Sequence, residues 1–228
     1  MAIDLHLHST YSDGCLTPGQ IVEHAHQAGI TALALTDHDT LDGIPEALAR
    51  GKELGITVLP GLELSCGQED QGGYHILGYK MDCNYEPLLV QLRQLSIARA
   101  ARADRIVAQL AAVGIQLAGS RVREIAGAGV VGRPHIAEAL IEQGFAEDKQ
   151  DAFRRYLSPG QPGYVPRYRL SVAQAIGLIR AARGIPVWAH PGQNFSLERL
   201  EQFQEYGLLG VEIWHPDHSA EQMLRFAD

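Results

Sequence analysis

Apolar and polar residues follow short, regular patterns in the first third of the chain. Residues 3–8 alternate in polarity, and apolar, β-branched runs cover 30–36 and 56–64, as is typical of strands. Two stretches of helical character separate these runs, and a glycine that can end a helix follows each one. We therefore predict strands over 3–8, 30–36 and 56–64, and helices over 18–28 and 44–54. This alternation of strand and helix predicts a parallel sheet or barrel.

The pattern changes in the middle of the chain. A glycine-framed run over 72–78 predicts another strand, and residues 87–113 have the spacing of a long helix. Short helices are predicted over 122–126, 135–143 and 150–156, with no strong strand between them. We interpret 96–164 as a helical insertion, and the proline- and glycine-rich segment 158–166 as its return linker.

The alternation of helix and strand then resumes. Helices are predicted over 172–182, 197–206 and 220–227, and strands over 185–189 and 209–214. The sequence thus predicts one barrel domain from 1–95 and 165–228, interrupted by an inserted domain from 96–164. Because Asp228 falls inside the last helix, with no closing strand after it, we expect the natural protein to continue further.

Composition and charge limit the kinds of molecule that the protein is expected to bind. With 228 residues, 46% of them hydrophobic, the chain can bury a substantial core. The excess of 27 acidic over 19 basic side chains argues against binding to duplex nucleic acid, which needs many Lys and Arg contacts to phosphates, but it allows a small anionic ligand. We find no signal peptide and no apolar run of membrane-spanning length, and we expect three free thiols. A cytoplasmic protein that does not bind a membrane is predicted.

Side chains that bind metals are concentrated where the predicted strands end. His6 and His8 lie two apart on a strand, so both imidazoles point to one face. Asp37-His38, Glu63 and His190 follow or end other strands, and in barrels of this type the carboxyl ends of the strands carry the reactive groups. A single His-x-His motif is weak evidence for a metal site, whereas a set of ligand residues at successive strand ends is strong evidence.

Each of these residues also has an ordinary structural explanation. Asp37 and Asp39 could start a turn or cap a helix, Glu63 could be an exposed carboxylate, and His75 could bond to the backbone. Taken together these explanations are weak, because so many ligand-type residues seldom gather at strand ends by chance.

The order of the motifs resembles a known family. The segments His6-Leu7-His8-Ser9, Ser12-Asp13-Gly14, Leu35-Thr36-Asp37-His38-Asp39 and Gly61-Leu62-Glu63 closely resemble the polymerase and histidinol phosphatase (PHP) family. A narrower resemblance to its TrpH-like branch of small phosphoesterases comes from Gly132-Arg133-Pro134-His135, Tyr164-Val165-Pro166, Ala189-His190-Pro191 and Glu212-Ile213-Trp214-His215-Pro216.

This resemblance implies an α/β fold, a distorted (βα)7 TIM-like barrel with a helical insertion, and two to three divalent metal ions. It implies that His6, His8 and Glu63 bind one ion, that Glu63 bridges to a second ion held by His75 and His190, and that Asp13 and His38 bind a third. Mixed imidazole and carboxylate ligands suit Mn, Fe or Zn. The family also has an Asp and a His ligand in a later Gly-Ser-Asp-Phe-His-like segment, which is absent up to Asp228.

The implied reaction is attack of a metal-bridging hydroxide on phosphorus. His215 and Asp37 are the candidate catalytic residues; His215 would orient the phosphate or protonate the leaving oxygen, or else has only a supporting or capping role. Arg133 and His135, at the start of a predicted helix, are candidates for binding a second phosphate or a nucleotide. For Arg133, a surface salt bridge is the alternative.

Three functions follow from these interpretations. The leading one is hydrolysis of a phosphomonoester of a nucleotide, either a 3′,5′-bisphosphonucleotide or a short RNA 5′ end. The second is a histidinol-phosphate-type phosphatase acting on a small molecule. The third is a non-catalytic, regulatory metal-binding domain.

Overall fold

The computed structural model describes residues 2–67, 73–127 and 131–227, which form a mixed α/β protein. Within the described residues, six strands form one curled sheet, a half-barrel, in the order in which they occur along the chain. Closure into a complete (βα)7 barrel stays a prediction. The strands are β1 (Ala2–Leu7), β2 (Ile30–Leu35), β3 (Thr57–Cys66), β4 (Tyr74–Tyr79), β5 (Ile185–Trp188) and β6 (Gly210–Val211).

The helices that flank this sheet begin and end at the predicted signals. Helix α1 (Pro18–Gln27) has a capping box in which the Thr17 hydroxyl accepts from the Gln20 N–H and the Gln20 side chain accepts from the Thr17 N–H. Helix α2 (Ile44–Leu54) ends at Gly55, whose φ of 71° is left-handed and therefore suits glycine. Both helices bury one apolar face, and this explains why apolar residues recur at helical spacing in their sequences.

Strand β4 departs from the predicted parallel arrangement. Strands β1, β2 and β3 are parallel, but β4 is antiparallel to both β3 and β5, and β5 and β6 are again parallel. The predicted strands 56–64 and 72–78 are too close along the chain for a parallel pair, which needs a crossover of about a dozen residues. The predicted parallel arrangement therefore holds for the first three strands, whereas β4, for which the sequence predicted no direction, is antiparallel. Gly72, the predicted start of this strand, lies outside the described residues.

Other predicted elements differ mainly at their ends. Strand β3 continues to Cys66 because it pairs with β4, whereas β6 is limited to Gly210–Val211 instead of the predicted 209–214. The helix predicted over 150–156 is a short α-helix followed by a π-helical turn over Phe153–Leu157. A 3₁₀ turn over Gly192–Asn194 follows β5.

The chain divides into two compact units. The first comprises Met1–Leu92 and Arg169–Asp228 and contains the sheet. Its core includes Leu33, Leu62 and Ile76, all fully buried. In addition to α1 and α2 it contains α7 (Val172–Ala181), α8 (Leu197–Glu205) and α9 (Ala220–Ala227).

The second unit comprises Arg93–Tyr168 and has its own apolar core. Ile106, Leu110, Ile136 and Leu140 are among its largest fully buried side chains. Its helices are most of α3 (Glu86–Ala112), together with α4 (Gly119–Ala126), α5 (Arg133–Glu142) and α6 (Lys149–Ala152). In neither unit is any described helix sufficiently long and apolar to cross a bilayer.

Candidate metal centre

The sheet brings side chains from distant parts of the chain to one edge. His6 lies in β1 and His8 directly follows it, while His38 follows β2 and pairs with Glu63 of β3 through an isolated β-bridge. Because β4 is antiparallel, its beginning lies at the edge where β3 ends, so His75 joins the same group. The edge at which the parallel strands end thus also receives a residue from the start of an antiparallel strand.

The Glu63 carboxylate is the centre of this group and is only 1% exposed. Its Oε2 lies 3.2 Å from His6 Nε2, 3.1 Å from His8 Nε2 and 3.2 Å from His38 Nδ1. Its Oε1 lies 2.8 Å from His75 Nδ1 and 2.9 Å from His190 Nε2. Each oxygen therefore faces its own set of imidazoles, as expected of a carboxylate that bridges two ions.

These spacings fit metal coordination. Two ligand atoms at right angles, each ~2.1 Å from one ion, are ~3 Å apart. The candidate ligand atoms lie within 4.8 Å of one another in three sets: His6, Glu63 and His190; His8, His38 and Glu63; and His6, Glu212 and His215. Imidazole nitrogens and carboxylate oxygens together form a donor set for borderline divalent ions. The residues present thus fit the divalent ions that the sequence predicts.

Asp13 approaches the group from the loop after β1. Its Oδ1 lies 3.4 Å from His8 Nδ1 and its Oδ2 lies 3.6 Å from His38 Nε2, while the side chain remains 67% exposed. The loop is tightly folded, because the N–H groups of Ser12 and Gly14 both donate to the Ser9 carbonyl oxygen at 3.0 Å. Asp13 thus lies beside His38, with which it was predicted to bind the third ion, and also beside His8.

Burial and paired charges shift the proton affinities of these groups. Burial would lower the pKa of His6, but hydrogen bonds to Glu212 and Glu63 outweigh it and raise the pKa to about 10. Burial lowers the pKa of His38 to about 4, despite the attraction of Glu63. Burial opposes ionisation of Glu63, yet hydrogen bonds from the surrounding histidines hold its pKa well below the usual range. Glu63 is therefore an anion, as a metal ligand must be.

Asp37, a candidate catalytic residue, is almost completely buried, at 2% exposure. Its Oδ1 accepts from the Ser9 N–H at 2.6 Å and from the Ser12 hydroxyl at 2.7 Å, and its Oδ2 accepts from the Ser9 hydroxyl at 2.6 Å. Its catalytic role stays a prediction, and these contacts favour a role in holding the loop that carries Asp13.

Glu212 is a member of the site that sequence reasoning missed. It directly follows β6, and its Oε1 accepts from His6 Nδ1–H at 2.9 Å. Burial would raise the pKa of this carboxyl, but the bond with His6 lowers it. In the sequence Glu212 contributes only to the resemblance, but it follows a strand at the same edge as the predicted ligands, and that position is the available signal.

His215, the other candidate catalytic residue, lies beside the cluster. Its ring centroid is 5.0 Å from that of His190 and 5.7 Å from that of His6. Its Nδ1 accepts from the Asp217 N–H at 3.2 Å, so in the neutral ring the proton is on Nε2. Burial lowers the pKa of His215, which favours that neutral form at pH 7.

Arg133 and His135, the predicted substrate-binding residues, lie in the first turn of α5 in the second unit. Arg133 Nη1 donates to the Leu157 carbonyl oxygen at 3.3 Å, and its guanidinium lies 5.5 Å from the centre of the Phe153 ring. His135 Nδ1 accepts from the Gly132 N–H at 3.0 Å. Substrate binding by these two residues stays a prediction.

Comparison with known proteins agrees with this chemistry. The model of the PHP domain matches residues 4–157. The chain is 37% identical to a 3′,5′-nucleoside bisphosphate phosphatase of Chromobacterium violaceum, over 99% of this chain and 81% of that protein. It is 38% identical to a 5′-3′ exoribonuclease of Haemophilus influenzae, over 92% of this chain and 78% of that protein.

A solved structure from Bifidobacterium adolescentis, described as a metal-dependent phosphoesterase, is similar to the whole chain. It superposes with a TM-score of 0.85 at 32% identity, over 99% of this chain and 82% of that one. The fold is thus shared with a protein that is described as acting on phosphoesters.

Proposed function

Since the chain belongs to the PHP domain family and is a metal-dependent hydrolase of phosphoric esters, we propose that it removes a phosphate from a nucleotide. The proposed substrate is a 3′,5′-bisphosphonucleotide or the 5′ end of a short RNA, as the names of the two relatives suggest. The observation that carries the proposal is the buried carboxylate of Glu63, which contacts five imidazoles at 2.8–3.2 Å.

The proposed ligands are divided between the two oxygens of Glu63. His6, His8 and Glu63 would hold one ion, Glu63 with His75 and His190 a second, and Asp13 with His38 a third. Divalent ions bound there would supply positive charge for the phosphate oxygens and would lower the pKa of the attacking water. Mn, Fe and Zn are the proposed candidates, at two to three ions per chain.

His215 is proposed to orient the phosphate. A neutral His215 that accepts from the Asp217 N–H through Nδ1 has an Nε2–H left to donate to a phosphate or leaving-group oxygen. Because its pKa is lowered, donation of a hydrogen bond is favoured over transfer of a full proton. Asp37 is proposed to act on the reaction only through the loop that it holds.

The inserted helical domain is proposed to bind the rest of the substrate. Arg133 carries a fixed positive charge at the start of α5, where the helix N-terminus also favours anions. We propose that Arg133 and His135 bind the second phosphate of the nucleotide.

The first experiment measures metal content and substrate preference together. Purified protein would be stripped with a chelator and reloaded separately with Mn²⁺, Fe²⁺ or Zn²⁺, and its bound metal counted. Release of phosphate from adenosine 3′,5′-bisphosphate and from histidinol phosphate would then be compared with release of phosphate or nucleotides from a 5′-phosphorylated RNA oligonucleotide. We expect two to three ions and fastest turnover of one of the two nucleotide substrates. Preference for histidinol phosphate would overturn the nucleotide proposal, and tight metal without turnover of any phosphoester would indicate a regulatory domain.

A second experiment tests Arg133. Arg133→Ala is expected to raise KM for adenosine 3′,5′-bisphosphate by about 10-fold or more, because a charge-assisted hydrogen bond contributes roughly 1.5–3 kcal/mol. Arg121→Ala is the matched control, since Arg121 is an exposed arginine of the same unit whose partners are Glu142 and Glu124. Equal KM values for the wild type and Arg133→Ala would remove Arg133 from the substrate pocket.

A further inference from the structure

In both histidines of the His-x-His motif, the ring nitrogen that points away from Glu63 faces a hydrogen-bond acceptor. His6 has Nε2 directed at Glu63, and its Nδ1 lies 2.9 Å from Glu212 Oε1. Both nitrogens face carboxylates, which can only accept, so when Nε2 binds a cation beside Glu63, Nδ1 keeps the proton that it donates to Glu212. Glu212 therefore determines which nitrogen of His6 faces the centre.

The same arrangement is built differently behind His8. The Ser12 hydroxyl donates to Asp37 Oδ1 at 2.7 Å, so its oxygen is free to accept from His8 Nδ1–H at 3.2 Å. Asp13 Oδ1, 3.4 Å from the same nitrogen, is also only an acceptor. In either case Nδ1 donates and Nε2, 3.1 Å from Glu63 Oε2, is presented to the centre.

Glu212 also contacts a second histidine of the group. Its Oε2 accepts from the His190 N–H at 2.7 Å, and His190 Nε2 in turn lies 2.9 Å from Glu63 Oε1. The φ of His190 is +26°, a left-handed value that a residue with a β-carbon keeps only when its surroundings hold it. The Glu212 carboxylate thus fixes both the ring of His6 and the backbone of His190. The imidazoles of these two residues face different oxygens of Glu63.

We propose that Glu212, and Asp37 acting through Ser12, are the positioning residues of this centre. They hold His6 and His8 in the tautomer whose Nε2 is available to a metal ion, and Glu212 also holds the strained backbone at His190. The inference rests on the proposed metal site but assigns residues outside its ligand set. Outer-layer partners of this kind typically affect metal affinity by about 10–100-fold.

Substitution of glutamine for Glu212 tests this directly. An amide has one acceptor oxygen, whereas Glu212 accepts from both His6 Nδ1–H and the His190 N–H. In Glu212→Gln, either the amide N–H₂ faces His6 Nδ1 and moves the ring proton to Nε2, or it faces the His190 N–H without an acceptor. We expect Zn²⁺ affinity, measured by competition with a chelating dye, to fall about 10–100-fold.

A pair of variants at Ser12 tests the contact between the Ser12 hydroxyl and His8. Ser12→Ala removes the hydroxyl between His8 and Asp37 and is expected to weaken Zn²⁺ binding about 10-fold. Ser12→Thr keeps a hydroxyl and is expected to restore most of the affinity. Glu205→Gln is the matched control for Glu212→Gln, since Glu205 is an exposed carboxylate at the end of α8.

The tautomers provide a readout independent of activity. In zinc-loaded wild-type protein, long-range ¹H–¹⁵N spectra of the histidine rings should show His6 and His8 with a protonated Nδ1. In Glu212→Gln the spectrum of His6 should change, while that of His8 should change only in Ser12→Ala. A substitution that only destabilised the fold would not change the spectrum of one histidine ring and leave the other unchanged.

The possible outcomes separate this proposal from the proposed function. Zinc affinities of Glu212→Gln and Ser12→Ala within twofold of wild type would overturn the positioning role. So would loss of one bound ion in both Glu212→Gln and His215→Ala, since Glu212 would then be a ligand of a separate ion. Normal zinc binding and tautomers without phosphoester turnover would overturn only the nucleotide proposal, whereas less than one zinc per wild-type chain would overturn both.

Discussion

Glu63 shows how much of the candidate centre depends on one residue. It is buried, it lies inside the sheet at the pairing of β3 with β4, and both of its oxygens face imidazoles. Seven candidate ligands could be predicted from the sequence because each lies in a recognisable motif: His6, His8, Asp13, His38, Glu63, His75 and His190. Glu212 was missed although it lies in a quoted motif at a strand end, because that motif gave no indication that its carboxylate contacts His6.

Glu63→Gln is expected to remove most of the bound metal. The amide would keep a single acceptor and place N–H₂ against ring nitrogens, so it could not balance two cations. Metal content and phosphate release should both fall by more than the roughly 10–100-fold typical of losing an outer partner. Glu53→Gln, which changes an exposed carboxylate paired with Arg50, serves as the control. Full metal content in Glu63→Gln would show that Glu63 is not a ligand.

The cysteines permit a test of burial at single residues. Burial raises the pKa of the Cys66 thiol to about 12, so at pH 8 it is protonated, and its side chain is fully buried in β3. Burial also raises the pKa of Cys83, whereas Cys15 is exposed. We expect iodoacetamide at pH 8 to label Cys15 first and Cys66 only after unfolding, as read by peptide mass spectrometry. Early labelling of Cys66 would contradict its placement.

Among the elements, the helices were the easiest to predict and the sheet pairing was the hardest. Helices α1 and α2 carry their own start and stop signals, so local chemistry locates them. Strand direction depends on partners, and the antiparallel β4 was missed although the short connection after β3 already required it. The π-helical turn at Phe153–Leu157 has no comparable local signal.

The loop after β1 depends on one glycine. A β-carbon at Gly14 would lie 2.0 Å from the His8 carbonyl oxygen, so Gly14→Ala must displace the backbone beside His8 and Asp13. We expect weaker metal binding by about 10-fold or more, measured by chelator competition. Gly177→Ala is the control, because the helical Gly177 has open space around it and alanine should stabilise α7 by about 1 kcal/mol. Unchanged metal affinity in Gly14→Ala would mean that the loop does not contribute to the site.

For the whole molecule, the sequence predicted an inserted segment over 96–164, and the compact second unit spans Arg93–Tyr168. Helical periodicity and the proline-rich return segment indicated where the alternation of strand and helix stops. They could not place the ends of the unit, because α3 crosses its boundary at Arg93 as one continuous helix. Closure of the half-barrel likewise depends on long-range pairing that no local pattern encodes.

Two separate cores predict two responses to heat. Metal should stabilise the unit that contains the histidines, by about 2.7 kcal/mol at 100 times Kd. Leu140→Ala, in the core of the other unit, should instead cost that unit about 2–5 kcal/mol. Differential scanning calorimetry with and without Mn²⁺ would measure both shifts. A single transition that moves equally under both changes would show that the units unfold as one.

The hydrogen bond between His6 and Glu212 has a consequence for biosynthesis. Because 206 residues separate its partners, His6 leaves the ribosome long before Glu212 is translated. At about 5–20 residues per second, the interval is roughly 10–40 s. Throughout that time the nascent chain displays a histidine pair without the carboxylate that selects its metal-binding nitrogen. Under the proposed positioning role, the metal-binding form of His6 is therefore set only after Glu212 has been translated.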